Sequence, residues 1–445
     1  MEQSTALNIL KAGHNVFLTG SAGTGKSYTL KQYIQYLRKK RIPVAVTAST
    51  GIAAAQLNGS TIHAWAGIGI KDYLTQRDVD KVKNNRFKYE AIMKTRVLII
   101  DEISMLHARQ LEMVDTMMRR VRDVDLPFGG LQVIFTGDFF QLPPVGTEGE
   151  TNRDKFCFMS LAWLHANLHV CYLDKQYRQA EGPLIDILNS IRSQDVSEEQ
   201  IELLRQTDFN DELDENPLHL FTHNLNVDLV NNRALYQLDG ELETFIAETT
   251  GHERLLEALM ANIRAPATLE LKVGAKVMFV KNHPDGTYAN GTQGTVHSFR
   301  MIDGKKIPIV ETKKSGLLLA RPEEWAFEDE RGKPVATFTQ VPLRLAYAIT
   351  IHKSQGMTLQ EAEIDLSRTF EMGQGYVALS RLQSIEGLRL TGLCESALTL
   401  DPLAIKADKR FQELSADIEP RFLIELTKDH TAFLKRCRPT RRHYS

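Results

Sequence analysis

Eight residues constrain this chain more than any others: Gly20-Ser21-Ala22-Gly23-Thr24-Gly25-Lys26-Ser27 fits the pattern G-x-x-x-x-G-K-[ST]. The run lies where that pattern has physical meaning. Asn15 to Thr19 reads as a buried strand and a helix pattern begins near Lys26, so the glycines form the turn between them. Such a turn wraps phosphates with backbone N–H groups at a helix N-terminus. Lys26 then reaches the β- and γ-phosphates, and the Ser27 hydroxyl ligates Mg²⁺.

Downstream, ValAlaValThr at 44–47, ValLeuIleIle at 97–100 and LeuGlnValIlePheThr at 131–136 are β-branched runs suited to central parallel strands. Strands alternating with helices predict a doubly wound α/β sheet. Between Gly67 and Lys94 charge replaces apolar density, which predicts a small insertion standing off that sheet. From Cys171 the pattern starts again: TyrLeu leads to a helix near 183–193, a strand at 219–222 and a helix within 224–238, a second α/β core. From Leu271 to Pro342, short β runs separated by Asn-Gly, Asp-Gly and Gly-Lys-Pro turns predict a small antiparallel barrel. AlaTyrAlaIleThrIle then returns to the buried-strand pattern, so the barrel is an insertion. The residues from Thr431, with Lys435, Arg436, Arg438, Arg441 and Arg442 and no acid from Thr431 on, read as a solvated tail.

LeuIleIleAsp101-Glu102 ends a buried strand, where topology brings two carboxylates beside the phosphate loop. Asp101 is the expected Mg²⁺ holder and Glu102 the base that orients an attacking water. Thr136-Gly137-Asp138-Phe-Phe-Gln141 ends another strand, and Gln141 offers an amide to a γ-phosphate or that water. Arg178 and Arg381 belong to the second half of the chain; an arginine aimed at a transferred phosphoryl neutralises its developing charge, while a lone arginine is otherwise a surface ion pair. Thr50-Gly51, His63, Trp65 and the group Thr350, His352, Lys353, Ser354 fall at strand-to-helix junctions. Hydroxyls and N–H groups there suit phosphates and aromatics suit bases, as for a single strand gripped without sequence preference. His63 and Trp65 read equally well as core residues.

Composition limits this reading. The 445 residues suggest about three structural units at roughly 150 each. The 54 Lys and Arg against 56 Asp and Glu, a formal charge of −2, remove any overall basic signature, so a polyanion site must be local. Cys157, Cys171, Cys394 and Cys437 lie far apart, which fits neither a disulfide framework nor a zinc cluster. No apolar run approaches the roughly 18 residues of a membrane span.

Taken together, these segments resemble the Pif (petite integration frequency) DNA helicases of superfamily 1B, the group that includes RecD-like enzymes. The resemblance spans nearly the whole chain: GSAGTGKS at 20–27, TASTGIAA at 47–54, GSTIHAWAGIG at 59–69, DEISM at 101–105, GDFFQLPPV at 137–145, YRQ at 177–179, LAYAITIHKSQGMTL at 345–359 and GQGYVALSRLQSIEGL at 373–388. It implies two tandem RecA-like P-loop cores with ATP between them, residues 1–174 and then 175–285 with 340–410, followed by a helical and basic segment at 411–445. It also implies a strand-separating wedge at 67–94 and an SH3-like barrel at 286–339. By the same resemblance Gln3 reads adenine, Gly356 joins the nucleotide contacts, and Gln141, Arg178 and Arg381 meet the γ-phosphate. The implied activity is ATP- and Mg²⁺-dependent 5′-to-3′ translocation on single-stranded DNA, with unwinding of forked or tailed duplexes and, more weakly, of G-quadruplexes and DNA–RNA hybrids.

The start of the chain almost at Gln3 fits a minimal, bacterial-type enzyme, expected to be monomeric, cytoplasmic and nucleoid-associated; Tyr177 stands where some members carry Trp. Two other readings remain open from sequence, an RNA helicase of the same superfamily and a nucleotide-switched single-strand binding protein. A small-molecule kinase would leave the second core unused, and a GTPase is disfavoured because no N-K-x-D guanine-reading motif occurs in this sequence.

Overall fold

The computed structural model describes residues 1–437 except 58, 70–71, 145, 147–148, 177–181, 211–212, 214–216, 223–226, 261–262, 264, 284, 329–333 and 419. The chain divides into two units: Met1–Phe139 with Pro143–Arg178 and the segment from Pro402, and Phe140–Leu142 with Gln179–Asp401.

The first unit is a six-stranded parallel sheet. Its strands are β1 (Val16–Gly20), β2 (Val44–Ala48), β3 (Ser60–Thr61), β4 (Val97–Asp101), β5 (Gln132–Thr136) and β6 (His169–Leu173), in the order β3-β2-β4-β5-β1-β6. β1 and β5 are buried at every position, as a parallel strand covered on both faces requires. Helices α1 (Gln3–Lys11) and α2 (Lys26–Lys39) supply part of that cover: Ala6, Ile9 and Leu10 on one, and Leu30, Tyr33, Ile34 and Leu37 at helical spacing on the other. A buried glutamine ties them together. Gln132 accepts from the Tyr33 hydroxyl at 2.8 Å and donates to the carbonyls of Leu10 and His14 at 3.0 and 2.7 Å, so its amide is satisfied inside the core.

Three segments differ from the sequence expectation. The run around Cys171, read from its apolar pattern as the opening of the second core but falling within residues 1–174 of the first core by the resemblance, is β6 and pairs with β1 from Val16↔His169 to Gly20↔Leu173. An apolar run of five residues suits either sheet, and its pairing partner is non-local. The helix Pro402–Ala416 belongs to the first unit, where Phe411 meets Phe17 at 4.9 Å between ring centroids within a cluster that includes Phe139, Phe158 and Trp163. The stretch from Thr431, read as a solvated tail, continues the helix Pro420–Cys437: Phe433 is buried against Gly13, and Asp429 accepts from His14 at 3.0 Å. Of its basic residues, Arg438, Arg441 and Arg442 lie outside the described residues.

Among the described residues between Gly67 and Lys94 the chain forms two helices, Gln76–Asn84 and Arg86–Lys94, with Val79, Val82 and Ile92 buried. Asp78 starts the first by accepting from the Thr75 N–H and hydroxyl at 3.1 and 2.7 Å.

The second unit contains a four-stranded parallel sheet with the order Ala348–Thr350, His219–Phe221, Ala362–Leu366, Leu388–Leu393. Within the same unit, the region read as a barrel forms a five-stranded antiparallel sheet over Lys276–Phe279, Gln293–Ile302, Lys305–Thr312, Gly316–Leu319 and Leu343–Leu345. A separate three-stranded sheet joins Glu323–Glu328 and Pro334–Gln340 to Glu248–Gly251, a strand well upstream of the expected insertion. Among the described residues no helix is long and apolar enough to cross a membrane.

Phe411→Ala is expected to destabilise the first unit by about 3–5 kcal/mol, the range for removing a buried aromatic ring. Urea unfolding followed by circular dichroism measures it; a loss under about 1 kcal/mol would show that this helix contributes little to the core.

Candidate nucleotide site and nucleic-acid contacts

The phosphate loop takes its shape from two glycines. Gly20 ends β1 at φ +138°, and a Cβ there would lie 2.3 Å from the Leu173 carbonyl on β6. Gly25 caps α2 at φ +86°, and a Cβ there would lie 2.0 Å from the Gln3 amide nitrogen. Between them the Thr24 hydroxyl is buried and donates to the Ser21 carbonyl at 2.9 Å. Ser21, Ala22 and Gly23 are half-buried, and Ser27 is exposed. Lys26 Nζ donates to the carbonyls of Gly20 and Ser21 at 2.7 and 3.0 Å. The first turn of α2 carries no acid, so nothing there offsets the positive end of its dipole.

Gln3, assigned to the nucleobase by resemblance, is fixed to this loop by donating to the Thr24 carbonyl at 3.0 Å. Gln176 is a neighbour that the sequence reading did not single out. Its amide donates to the Ser21 hydroxyl at 2.9 Å, and its carbonyl oxygen Oε1 is buried without a hydrogen-bond partner. The signal available was only its place directly before Tyr177-Arg178.

Asp101 closes β4 and Thr136 closes the adjacent β5, and the Thr136 hydroxyl donates to the Asp101 carboxylate. The Glu102 N–H donates to the same oxygen at 3.0 Å. Desolvation holds the Asp101 carboxyl above its usual range, although these two hydrogen bonds and the charges of Lys26 and Lys31 act in the opposite direction. Lys26 and Asp101, far apart in sequence, therefore act on one another. Glu102 occupies the left-handed region at φ +50°, ψ +46°, uncommon for a residue with a Cβ.

Other predicted residues are placed less openly. Arg178 and Tyr177 lie outside the described residues. In the second unit Arg381 is 3% exposed, with Nε donating to the Val377 carbonyl at 3.0 Å and a terminal nitrogen donating to the Ser380 hydroxyl at 2.8 Å. Gln141 is buried there, and its Oε1 has no hydrogen-bond partner. Gly356 is half-buried at φ +71°.

The hydroxyls chosen as strand contacts largely serve the protein itself. Thr350 is buried and accepts from the Lys353 N–H at 3.2 Å, capping the short helix Ile351–Ser354, while buried Ser354 donates to the Ile351 carbonyl at 2.7 Å. That leaves exposed Lys353 and half-buried His352 on this segment, with burial holding the His352 imidazole below its usual pKa. Thr50 in the first unit likewise accepts from the Ala53 N–H at 3.3 Å, and Gly51 opens α3 (Gly51–Gln56). His63 and Trp65 are both half-buried on the helix Ile62–Ala66, whose core face is Ile62 and Ala66.

Gly25→Ala forces a Cβ into the left-handed region, at about 1–2 kcal/mol, and into the Gln3 amide. It is expected to weaken ATP binding by about tenfold or more, measured by titration with a fluorescent ATP analogue. An unchanged affinity would show that the contact between Gln3 and this loop is dispensable.

Comparison with known proteins places these features in a family. The PIF1-like helicase family model matches residues 2–204. Across 95% of this chain and 72% of the relative, the sequence is 48% identical to the ATP-dependent DNA helicase Pif1 of Psychrobacter sp.. The structure of Bacteroides sp. Pif1 in complex with ADP-AlF4 is similar with a TM-score of 0.79 at 30% identity, covering 92% of this chain and 96% of that one. Bacteroides Pif1 in complex with ADP-AlF3 and ssDNA gives a TM-score of 0.61 at 30% identity over the same shares. With nearly half its residues shared across almost the whole length matched, this chain belongs to the PIF1-like helicase family.

Proposed function

We propose that this ATP-dependent DNA helicase tracks 5′ to 3′ along single-stranded DNA and opens forked or tailed duplexes. The observation that carries the reading is the assembly at the sheet edge of the first unit: a phosphate loop with Lys26 at the start of α2, the half-buried Asp101 carboxylate at the end of β4 held by the Thr136 hydroxyl and the Glu102 N–H, and Gln3 hydrogen-bonded to the loop. The relative solved with ADP-AlF3 and ssDNA supports both partners, nucleotide and single strand.

Within that reading, Lys26 and the loop N–H groups hold the phosphates, and Glu102 orients the attacking water. The donor set suits Mg²⁺, since an exposed hydroxyl at Ser27 and the half-buried Asp101 carboxylate are both hard oxygens, and a carboxylate raised by desolvation gains from a cation beside it. When bound, Mg²⁺ neutralises charge developing on the transferred phosphoryl. Gln141, Arg178 and Arg381 are the proposed γ-phosphate contacts. Thr50, Gly51, His63 and Trp65 in the first unit and Thr350, His352, Lys353 and Ser354 in the second are the proposed strand contacts, through backbone groups where the hydroxyls are already engaged. Residues 67–94 act as the wedge, G-quadruplexes and DNA–RNA hybrids are further substrates, and the cell compartment is the cytoplasm.

A strand-displacement assay tests this directly. Duplexes with a 5′ tail are expected to be opened only with ATP, and duplexes with a 3′ tail to stay closed; opening of the 3′-tailed substrate alone would overturn the polarity. Lys26→Ala is expected to lower kcat for ATP hydrolysis by roughly 10²–10³ and unwinding with it. Unwinding that survives the loss of hydrolysis would overturn the motor reading, and preference for an RNA tracking strand would make the enzyme an RNA helicase.

A further inference from the structure

Ser49 stands between two functions and was assigned to neither. It follows β2 directly, and Thr50-Gly51, the proposed strand contact, follows it. Its backbone N–H donates to the Asp101 carbonyl at 3.0 Å, which extends the β2–β4 ladder one rung beyond the Ala48↔Asp101 pair. Its hydroxyl donates to the Glu102 carbonyl at 2.6 Å. Ser49 is 9% exposed, and its hydroxyl bond to half-buried Glu102 is partly shielded from solvent.

The receiving residue is the unusual one. Glu102 sits in the left-handed region, a conformation that persists only where the surroundings over-determine it. Two donors meet its carbonyl: the Met105 N–H at 3.1 Å, local to the turn that follows, and Ser49 Oγ, from the end of the neighbouring strand. The Met105 bond holds the turn to itself, while the Ser49 bond ties it to the segment that carries Thr50. Thr50 is committed through its hydroxyl to the Ala53 N–H, so a displacement of Thr50-Gly51 also moves α3 and is passed back along one peptide to Ser49. A side chain that orients water is sensitive to such movement, because a misplacement of about 1 Å reduces turnover by as much as 10²-fold.

We propose that Ser49 is a positioning residue that links occupancy of the strand contact at Thr50-Gly51 to the orientation of Glu102, and thereby makes hydrolysis respond to DNA. It touches neither substrate, and its effect passes through the Glu102 carbonyl. This rests on the reading of Glu102 as the water-orienting base and of Thr50-Gly51 as a strand contact.

The test compares steady-state ATP hydrolysis with and without saturating oligothymidylate. For Ser49→Ala the ratio of DNA-stimulated to basal kcat is expected to fall about tenfold, with KM for ATP within about twofold of the wild type. Ser49→Thr keeps the hydroxyl and is expected to restore the ratio. Ser49→Cys, close to Ser in size and only a weak donor, is expected to lower the ratio as Ala does, and it carries the test if the Ala variant does not fold. An unchanged ratio in both Ala and Cys variants overturns the proposal. So does a fall of both rates by one common factor, which marks a merely structural serine. Thr50→Pro separates the underlying reading: if it leaves oligothymidylate affinity by fluorescence anisotropy unchanged while the fold is intact, the strand contact is elsewhere, and that reading falls along with the link built on it.

Discussion

Parallel pairing in the first sheet is the constraint on which the rest of the site depends. Every strand from β1 to β6 runs the same way, so every C-terminal end lies along one edge. The order β2-β4-β5-β1-β6 then places Ser49, Asp101, Thr136, Gly20 and Leu173 at neighbouring strand ends. Strands buried on both faces leave polar chemistry nowhere to go except that edge. The contacts follow from it: Thr136 reaches Asp101 across one strand gap, Ser49 reaches Glu102 across another, and Gly20 must lack a Cβ because Leu173 is so near. Outside the sheet, Gln3 comes from α1, whose position is set by its apolar face and by the Gln132 amide beneath it.

What the sequence made legible was local. The phosphate loop is readable because its conformation is set by glycines at fixed offsets, and Asp101-Glu102 because the acids end an apolar strand run downstream of that loop, where a parallel sheet brings strand ends to one edge. The residues that escaped are those whose role is created by a distant partner. β6 is a five-residue apolar run that could pair in either sheet, and only its register with β1 decides the matter. Phe411 gives no sign from position alone that it closes an aromatic cluster around Phe17. Gln176 and Ser49 are single polar residues without a pattern, and each matters through one hydrogen bond to a residue far away in sequence. The antiparallel region was legible as β structure from its turns. Its division into two sheets, one recruiting Glu248–Gly251, was not, because strand partners beyond a hairpin leave no local trace.

The same distinction explains why the balance of −2 was a poor guide to the partner. Composition reports the field of the whole surface, whereas a phosphate site at a sheet edge is made of groups that composition counts as neutral. Around this loop the contacts come from two glutamines, a serine, a threonine and backbone amides, and Lys26 is the one cation within the eight-residue motif. Asp101 offsets that cation. Orientation supplies what net charge does not: N–H groups held at the start of α2, with no acid in its first turn, present positive potential in one direction only. A site of that kind discriminates by geometry, and it fails when the geometry fails even if every charge is kept. Gly25 is the position where this matters most, because a single methyl group there changes no charge and still displaces the glutamine that holds the loop in place.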